Sequence, residues 1–363
     1  MKKNTEKNRI RKRILITGIS LLIVVMAIAV ISMNYFDALL DLIDRGEVPG
    51  DSSFYNETDP YNTSDPIINT SQTEINSTEG NTTTISTTTE TTIDPRIIEI
   101  QEQQREALNI PLRSDSQVIN ILLIGSDRRE GETTGRSDSM IIFSINKRTR
   151  KIHLVSLMRA LYVKIPDHGF NLLNASYSYG GSKMLRQTIE NNLRVKLSDY
   201  IMIDFAGFTA AIDLVGGLDI NLTLQEAEYI IANYGFSVAE GMNHLDGTMS
   251  LAYARIRKID SDFARTRRQR DVITLLIQKM MAMNPSDLDT TARSILPLVK
   301  TNMDDSKIIS LAIGALEYKD YEIKQLMLPI KNSSEIMYVN RMEVVKFDFK
   351  DNIEALQEFI YDD

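Results

Sequence analysis

Apolar positions divide the chain into one membrane-length run, a polar stretch without periodicity, and a long region of strand and helix patterns. Residues 14–33 carry no charge and could cross about 30 Å of hydrocarbon as a helix. Lysine and arginine crowd residues 1–13, so we expect this tail to stay in the cytoplasm and the rest to lie outside. A cleaved signal peptide is the competing interpretation, but the apolar run exceeds a usual h-region and no small-x-small cleavage pattern follows it.

Residues 34–94 are rich in Thr, Asn and Ser and have no periodic apolar face. This composition predicts a disordered extracellular stalk. Sequons in the stalk would indicate glycosylation in a eukaryotic host, whereas an Asn/Thr-rich linker also produces such triplets by chance, which is the interpretation we favour. The sequons lie at Asn56, Asn62, Asn69, Asn76 and Asn81.

Strand and helix patterns alternate from residue 95 onward. The near-continuous apolar run 118–124 predicts a strand that is buried on both faces. Two further strand-like runs, 140–145 and 152–157, are separated by a polar connection typical of a hairpin. Another strand is predicted at 200–203, and helices at 95–108, 182–193, 205–215, 249–254, 265–283 and 291–296. The mixture predicts an α/β domain over 95–363, with helices on both sides of a mixed central sheet.

Composition excludes several classes of function. The 363 residues include no cysteine, which removes thiol catalysis and zinc–thiolate sites and suits an exported domain. The net charge of −8 argues against a nucleic-acid partner. The chain has no Walker loop, no Gly-x-Gly-x-x-Gly, no Gly-x-Ser-x-Gly elbow and no His-Glu-x-x-His motif.

A first charged cluster follows the strand at 118–124. Asp127 and Arg128 stand before a Gly/Thr-rich loop, and Arg136 and Asp138 stand after it. Two carboxylates brought together at the mouth of a loop are the hard-oxygen ligands that Mg²⁺ uses beside a phosphate. For either aspartate alone, a turn or capping role is the alternative.

A second cluster, residues 255–270, holds seven basic and two acidic residues within an acidic protein. A solvated helix face is the alternative for any charge run, but arginine is used here almost to the exclusion of lysine, which favours bidentate phosphate contacts. Helical spacing predicts that Arg265 and Arg268 share one face and point into a site. We expect the intervening basic side chains to face solvent, namely Arg267 and Arg270.

Apolar surfaces accompany these charges. Ordinary core packing explains them, and an acyl-chain tunnel is the alternative. They comprise Leu275, Leu276, Met280, Met281 and Met283 in one segment, and Phe205, Phe208, Ala211, Ile212 and Leu214 in another.

The region 118–276 resembles the LytR-CpsA-Psr family, membrane-anchored phosphotransferases of bacterial cell envelopes. So many pieces in the same order make the match specific. The matching pieces are Ile124 to Arg128, Arg136 to Ser139, Ser156 to Ala160, Tyr162 to Pro166, Asn174-Ala175, Gly180-Gly181, Asp204-Phe205 with Phe208, Asp213 with Gly216-Gly217, Arg255 with Arg257, Asp262, Arg265, and Arg268-Gln269.

The resemblance implies that Asp127 and Asp138 help to hold Mg²⁺ (or Mn²⁺). It also implies a polyprenyl tunnel between the sheet and the helices, and a cage of arginines around a pyrophosphate. The cage would comprise Arg136, Arg159, Arg255, Arg257, Arg265 and Arg268. Further substrate contacts would come from Arg128, Asn174, Phe205, Phe208 and Gln269.

The chain departs from the family pattern at three positions. The family usually has Ser-x-Pro-Arg-Asp, where this chain has Met158 before Arg159 and Ala160 after it. Leu172 stands where the family usually has a lysine. We therefore expect the acceptor, the polymer or the rate to differ from the family's.

The predicted function is transfer of a glycopolymer, still carrying one phosphate, from a polyprenyl-pyrophosphate carrier to a peptidoglycan hydroxyl. The protein would be a single-pass protein of the bacterial cell membrane, with Asp262 as the candidate general base. Two alternatives stay open at this point: a non-catalytic scaffold or envelope regulator that binds lipid-linked polymers, and a hydrolase that uses water as the acceptor.

Overall fold

The computed structural model describes residue 35 and residues 37–50, 94–126 and 137–362. The predicted cytoplasmic tail and membrane helix, most of the stalk, and Asp127, Arg128 and Arg136 lie outside these described residues. No helix within the described ranges is long and apolar enough to span a bilayer.

A mixed sheet of seven strands forms the centre of the domain. Its spatial order is β1 (Asp44–Arg45), β10 (Val299–Thr301), β7 (Asp199–Asp204), β2 (Val118–Ser126), β3 (Ser137–Asn146), β4 (Lys151–Leu157) and β11 (Glu322–Leu328). The pairs β1–β10, β7–β2 and β4–β11 are parallel, and the other three are antiparallel. Three small two-stranded antiparallel sheets pair β5 (Tyr162–Ile165) with β6 (Gly169–Leu172), β8 (Leu218–Leu222) with β9 (Gly241–Leu245), and β12 (Ser334–Val339) with β13 (Met342–Phe347).

Helices cover both faces of the sheet. They are α1 (Pro95–Ala107), α2 (Ala175–Leu193), α3 (Phe205–Leu214), α4 (Leu224–Tyr234), α5 (Gly247–Ala254), α6 (Asp262–Met281), α7 (Pro285–Ile295), α8 (Asp305–Tyr318) and α9 (Phe349–Tyr361). Polar caps fix several starts: Ser261 caps α6, and Thr223 forms a capping box with Glu226 at α4. The predicted mixed sheet between helices is confirmed.

Side chains alternate across β2, so the two faces of the sheet have different surroundings. Leu122 and Ile124 belong to the main core, which α1, α2 and α9 close. Leu123 and Gly125 line a cavity beneath α3 and α6. The prediction that this strand is covered on both faces is therefore confirmed.

Three local predictions differ from the structure. The second predicted helix begins earlier, at Ala175, because two helical pieces join across a kink at Gly180 and Gly181. Helix α7 begins at Pro285, well before the predicted position 291. Arg270 is buried and donates to Gln325, so its predicted solvent exposure is wrong.

Part of the range predicted as stalk belongs to the folded domain. Residues 44–50 run across its surface, and β1 within them pairs with β10 at the edge of the sheet. A strand of two residues has no side-chain pattern that a sequence could reveal, because backbone pairing holds it in place.

Candidate active site

Two cavities of opposite character meet at one set of side chains. The first has a volume of about 410 Å³ and is lined mainly by apolar residues, and the second, of about 340 Å³, is lined mainly by polar ones. Asp138, Arg255 and Arg257 line both cavities. These three residues therefore form a junction with apolar space on one side and polar space on the other.

Helix α6 and the sheet form the walls of the apolar cavity. Along α6, Gln269, Ile273 and Leu276 follow Arg265 at intervals of one turn, so they make one stripe that faces the cavity. Other apolar lining comes from Leu123, Ile141, Phe143, Ile201, Ile203, Phe205, Phe208, Ala211, Ile277, Met280, Ile295, Leu296 and Val299. Five residues of the two predicted apolar surfaces therefore line a cavity, namely Leu276, Met280, Phe205, Phe208 and Ala211. Leu275 and Met283 do not line it and pack against a second apolar cluster beneath α4 and α5.

Cations and tyrosines form the walls of the polar cavity. Arg159 and Lys258 join the junction residues there, together with Tyr229 and Tyr234 from α4. The rings of Tyr234 and Phe236 are parallel, with centroids 5.9 Å apart. This side of the junction therefore offers positive charge and aromatic faces to a polar ligand.

Strand register places the first charges. β2 ends and β3 begins at the same edge of the sheet, because they are antiparallel with Ser126 opposite Ser137. The β3–β4 register pairs Ile141 with Ser156, and its continuation brings Asp138 opposite Arg159 in the turn after β4. Asp138 and Arg159 therefore meet because of the sheet.

Helix ends supply the remaining charges. Arg255 caps the C-terminus of α5, and Arg257 follows in the connection to α6. The first turn of α6 carries Asp262 and Arg265. The guanidinium carbon of Arg255 lies 4.6 Å above the ring centroid of Phe205, the first residue of α3, a distance at which cation and ring attract.

Ion pairs link these residues into one chain. Asp138 Oδ2 accepts from Arg257 Nη2 at 3.3 Å, and Asp138 Oδ1 lies 3.5 Å from Arg159 Nη1. Asp262 lies 3.8 Å from Nε of Arg159 and 2.5 Å from Nη2 of Arg265. Three guanidinium groups thus face two carboxylates, which leaves excess positive charge for an anion.

Arg265 is only 3% exposed and lines the apolar cavity. Its Nε and Nη1 have no hydrogen-bond partner in the described part of the chain. Burial lowers the pKa of Arg265 to about 10, although the charge of Asp262 opposes the shift, so the group stays protonated at neutral pH. Unpaired buried donors typically cost about 1–3 kcal/mol, which an anionic ligand would recover.

Arg268 has a different position from the one predicted. It is fully buried, lines neither cavity, and donates to Glu226 at 2.7 Å and to the carbonyl of Ile256 at 3.1 Å. It also pairs with Asp260. Arg268 therefore ties α6 to α4 and to the connection 256–260. The side chains of α6 that line the cavity follow Arg265 at Gln269 and Ile273, so Arg268 lies off that stripe.

The other predicted contacts divide in the same way. Phe205, Phe208 and Gln269 line the apolar cavity, as substrate contacts would. Asn174 lines neither cavity; its backbone N–H donates to the carbonyl of Arg159 at 3.2 Å. Asn174 thus supports the turn that carries Arg159.

The predicted metal site is described only in part. The carboxylate of Asp138 lies at the junction, whereas Asp127 lies outside the described residues. Within the described ranges, no group of three or more His, Cys, Asp or Glu could hold a metal ion. Mg²⁺ binding therefore stays a prediction.

Backbone contacts surround two of the departures from the family pattern. The N–H of Met158 donates to Leu328 of β11 at 3.1 Å, and the carbonyl of Ala160 accepts from Val345 of β13 at 2.8 Å. These two backbone bonds hold the turn before and after Arg159, and they need no particular side chain. The third departure, Leu172, ends β6 and packs against the main core.

Comparison with known proteins identifies the family. The sequence model of the LytR_cpsA_psr family matches residues 72–356. The chain belongs to this family. The regulatory protein MsrR of Staphylococcus aureus is 31% identical to this LytR_cpsA_psr protein over 260 residues, which are 70% of this chain and 78% of that protein.

Two further relatives of this LytR_cpsA_psr protein carry descriptive names. The polyisoprenyl-teichoic acid–peptidoglycan teichoic acid transferase TagU of Bacillus mycoides is 35% identical over 202 residues, 54% of this chain and 64% of that protein. A solved structure of the family protein YwtF (TagT), a Bacillus subtilis protein, with bound octaprenyl pyrophosphate lipid aligns with a TM-score of 0.54 at 19% identity. The alignment covers 68% of this chain and 93% of that chain and supports the fold.

Proposed function

We propose that the protein transfers a phosphate-linked glycopolymer from a polyprenyl-pyrophosphate carrier to a hydroxyl of peptidoglycan, releasing polyprenyl phosphate. One observation carries the proposal: the apolar and polar cavities meet at Asp138, Arg255 and Arg257. The carrier has the same order of parts, with a pyrophosphate between an apolar chain and a glycan. The apolar chain would lie along α6, and the glycan beside Tyr229 and Tyr234.

The names of relatives support this substrate class. TagU is named for transfer of teichoic acid from a polyisoprenyl carrier to peptidoglycan, and a TagT structure contains octaprenyl pyrophosphate. We expect the polymer, the acceptor hydroxyl or the rate to differ from those of the relatives, because Met158 and Ala160 flank Arg159 and Leu172 lies two residues before Asn174.

In the proposed reaction, a peptidoglycan hydroxyl oxygen attacks the phosphorus that bears the glycan. A new phosphate ester bond forms, the anhydride bond to polyprenyl phosphate breaks, and the hydroxyl proton leaves. The catalytic need is to position the reactants and to neutralise charge on the leaving phosphate. Arg255, Arg257 and Arg265 would bind the pyrophosphate oxygens, and Asp262 is the candidate acceptor of the proton.

A divalent cation is part of the proposal. Asp138 supplies a hard-oxygen donor at the junction, and Asp127 is the second ligand that we propose for Mg²⁺ or Mn²⁺. When bound, such an ion would neutralise charge on the pyrophosphate. Binding of Mn²⁺ to the protein, followed by electron paramagnetic resonance, should weaken in Asp138→Asn without any substrate present.

We also propose that residues 14–33 anchor the protein in the bacterial cell membrane, with the N-terminus in the cytoplasm. Polyprenyl carriers reside in that bilayer, so anchoring would keep donor and site together.

The test uses the full chain in lipid vesicles with a polyprenyl-pyrophosphate oligosaccharide, a peptidoglycan oligomer and Mg²⁺. Mass spectrometry should detect a glycan joined to peptidoglycan through a phosphodiester. Arg257→Ala should reduce the yield by roughly 10² to 10³. Arg267→Ala is the matched control, because this arginine on α6 is exposed and lines neither cavity.

Other products would indicate the alternatives. Release of the phosphorylated glycan into water, without a peptidoglycan product, would indicate a hydrolase. Binding of the carrier without any product, for several donors, would favour a scaffold or regulator, the kind of role named for MsrR.

A further inference from the structure

Residues 44–50, which we call the strap, attach the start of the described chain to the edge of the sheet. β1 pairs in parallel with β10, with Asp44 opposite Lys300 and Arg45 opposite Thr301. The N–H of Gly46 continues the pairing, since it donates to the carbonyl of Thr301 at 2.9 Å.

The strap then enters a notch in α2. The helix is broken at Gly180 and Gly181, and Gly181 has φ +62° and ψ −152°. A Cβ on Gly181 would lie 1.7 Å from the carbonyl oxygen of Val48, and a Cβ on Gly50 would lie 2.5 Å from the nitrogen of Gly180. Only glycine allows the two backbones to approach so closely. The Gly180-Gly181 pair, which the candidate site does not use, therefore has a role in seating the strap.

Hydrogen bonds and burial hold the strap in this notch. The N–H of Ser182 donates to Val48 at 3.1 Å, and the N–H of Val48 donates to Ser182 Oγ at 3.0 Å. Val48 is 6% exposed and belongs to the main core. The Glu47 carboxylate accepts from Ser182 Oγ at 2.6 Å and pairs with Arg186. Exposed ion pairs contribute only about 0–1 kcal/mol each, so backbone pairing and the burial of Val48 dominate.

Residues before the strap contact the wall of the apolar cavity. The hydroxyl of Tyr35 donates to Asp289 of α7, and the guanidinium carbon of Arg293 lies 4.7 Å above its ring centroid. Helix α7 ends in Ile295, and this residue and Val299 of β10 line the apolar cavity. The chain thus reaches the domain beside the apolar cavity.

We propose that the strap is the point at which the membrane anchor holds the domain, so that the tether comprises no more than residues 34–43. Both described residues that border 51–93 belong to the domain, since residue 50 lies against α2 and Asp94 caps α1. Ten residues span at most about 35 Å, whereas a stalk over 34–94 could span about 200 Å. The side of the domain formed by β1, β10 and α7 therefore faces the bilayer, where a polyprenyl chain resides.

This inference rests on the proposed anchor, and matched insertions test it. One variant receives 15 Gly/Ser residues after Asn34, and the other receives the same insert within 51–93. Since the chain has no cysteine, Glu102→Cys on α1 provides one dye site for energy transfer to dyes in the vesicle lipid. The insert after Asn34 should move the dye outward by roughly 20 Å, and the insert within 51–93 should leave it in place.

The other outcomes contradict the strap. Three results would show that residues 34–43 do not set the distance of the domain from the bilayer: an equal outward shift with both inserts, a shift only with the insert in 51–93, or a shift with neither. Failure of the full chain to insert into vesicles would remove the anchor itself. None of these distances depends on transfer activity, so the proposed reaction and the strap fail separately.

Release of the strap provides a second test. Val48→Asp should expose the strap, so that trypsin cuts after Arg45 at least tenfold faster and the insert within 51–93 now moves the dye. Gly181→Ala should have the same effect. Gly241→Ala is the control, because Gly241 also has a positive φ (+98°) but its Cβ would meet nothing within 4 Å. Unchanged cleavage in both strap variants would overturn the inference.

Discussion

Nη2 of Arg265 lies 2.5 Å from Oδ1 of Asp262, one turn earlier on α6, while Nε and Nη1 of the same guanidinium have no partner among the described residues. The aspartate thus orients a buried cation and leaves part of its hydrogen-bonding capacity for a ligand. Two other arginines of the described ranges are buried. Arg268 is fully paired, and Arg270 keeps an unpaired Nη1 but lines neither cavity. Unpaired donors at a cavity wall therefore distinguish a binding role for Arg265 from a structural one.

Replacement of Arg265 should affect transfer far more than folding. In Arg265→Met the volume is nearly kept and the unpaired donors are lost, so the free energy of unfolding should change by less than about 1 kcal/mol. Transfer should fall by roughly 10² to 10³ because a contact to the pyrophosphate is lost. Rate measurements and urea unfolding check both numbers, with Arg267→Met as the control. A variant that transfers normally would remove Arg265 from the site.

Replacement of Arg268 should have the opposite balance. Arg268→Ala leaves the carboxylate of Glu226 buried without its partner, which should lower the free energy of unfolding by about 3 kcal/mol or more. Urea unfolding measures the loss. A stable Arg268→Ala variant with strongly reduced transfer would return Arg268 to the predicted cage.

Glu226 should make stability depend on pH. Burial disfavours its charged form, but hydrogen bonds from Arg268 and from the backbone of Thr223 outweigh burial, so the pKa of Glu226 lies below its usual value. Its stabilisation is therefore present above the unfolded pKa of about 4.3 and is lost as the pH falls through the lower folded pKa. The difference in urea midpoint between wild type and Glu226→Gln should shrink below about pH 4. A difference that is constant with pH would contradict this assignment.

Filling the apolar cavity should select for short carriers. Ala211 of α3 lines the cavity, so Ala211→Leu should reduce transfer from long polyprenyl carriers more than from short ones. Competition between carriers of two lengths, read by mass spectrometry, measures the selectivity. Ala206→Leu is the control, because Ala206 is exposed on the same helix. Equal losses for both carrier lengths would show that the polyprenyl chain does not occupy the apolar cavity.

Local patterns predicted much of the fold. The runs at 118–124, 140–145 and 152–157 lie within β2, β3 and β4, because a buried strand needs continuous or alternating apolar residues. The antiparallel pair β8–β9 was not predicted. β8 alternates apolar and polar residues but has only five of them, and β9 is mostly polar and partly exposed.

The candidate site was predictable only in part. Arginine-rich composition and the family resemblance indicated Arg159, Arg255, Arg257 and Arg265, and the structure brings these four together around Asp138 and Asp262. Spacing on α6 did not distinguish Arg265 from Arg268. Both intervals of three and four residues keep side chains near one helix face, and only the position of Glu226 beside Arg268 decides between them.

The sequence by itself determined the central strands, most of the helices that pack on them and the arginine-rich chemistry, because periodicity and residue type are local properties. Only the tertiary structure decided that two cavities share a junction, that Arg265 keeps unpaired donors and that the strap lies in the notch of α2. Val48 and Ser182 stand 134 positions apart, and no local pattern records such a contact. Long-range contacts form where surfaces fit, and that fit exists only once the chain has folded.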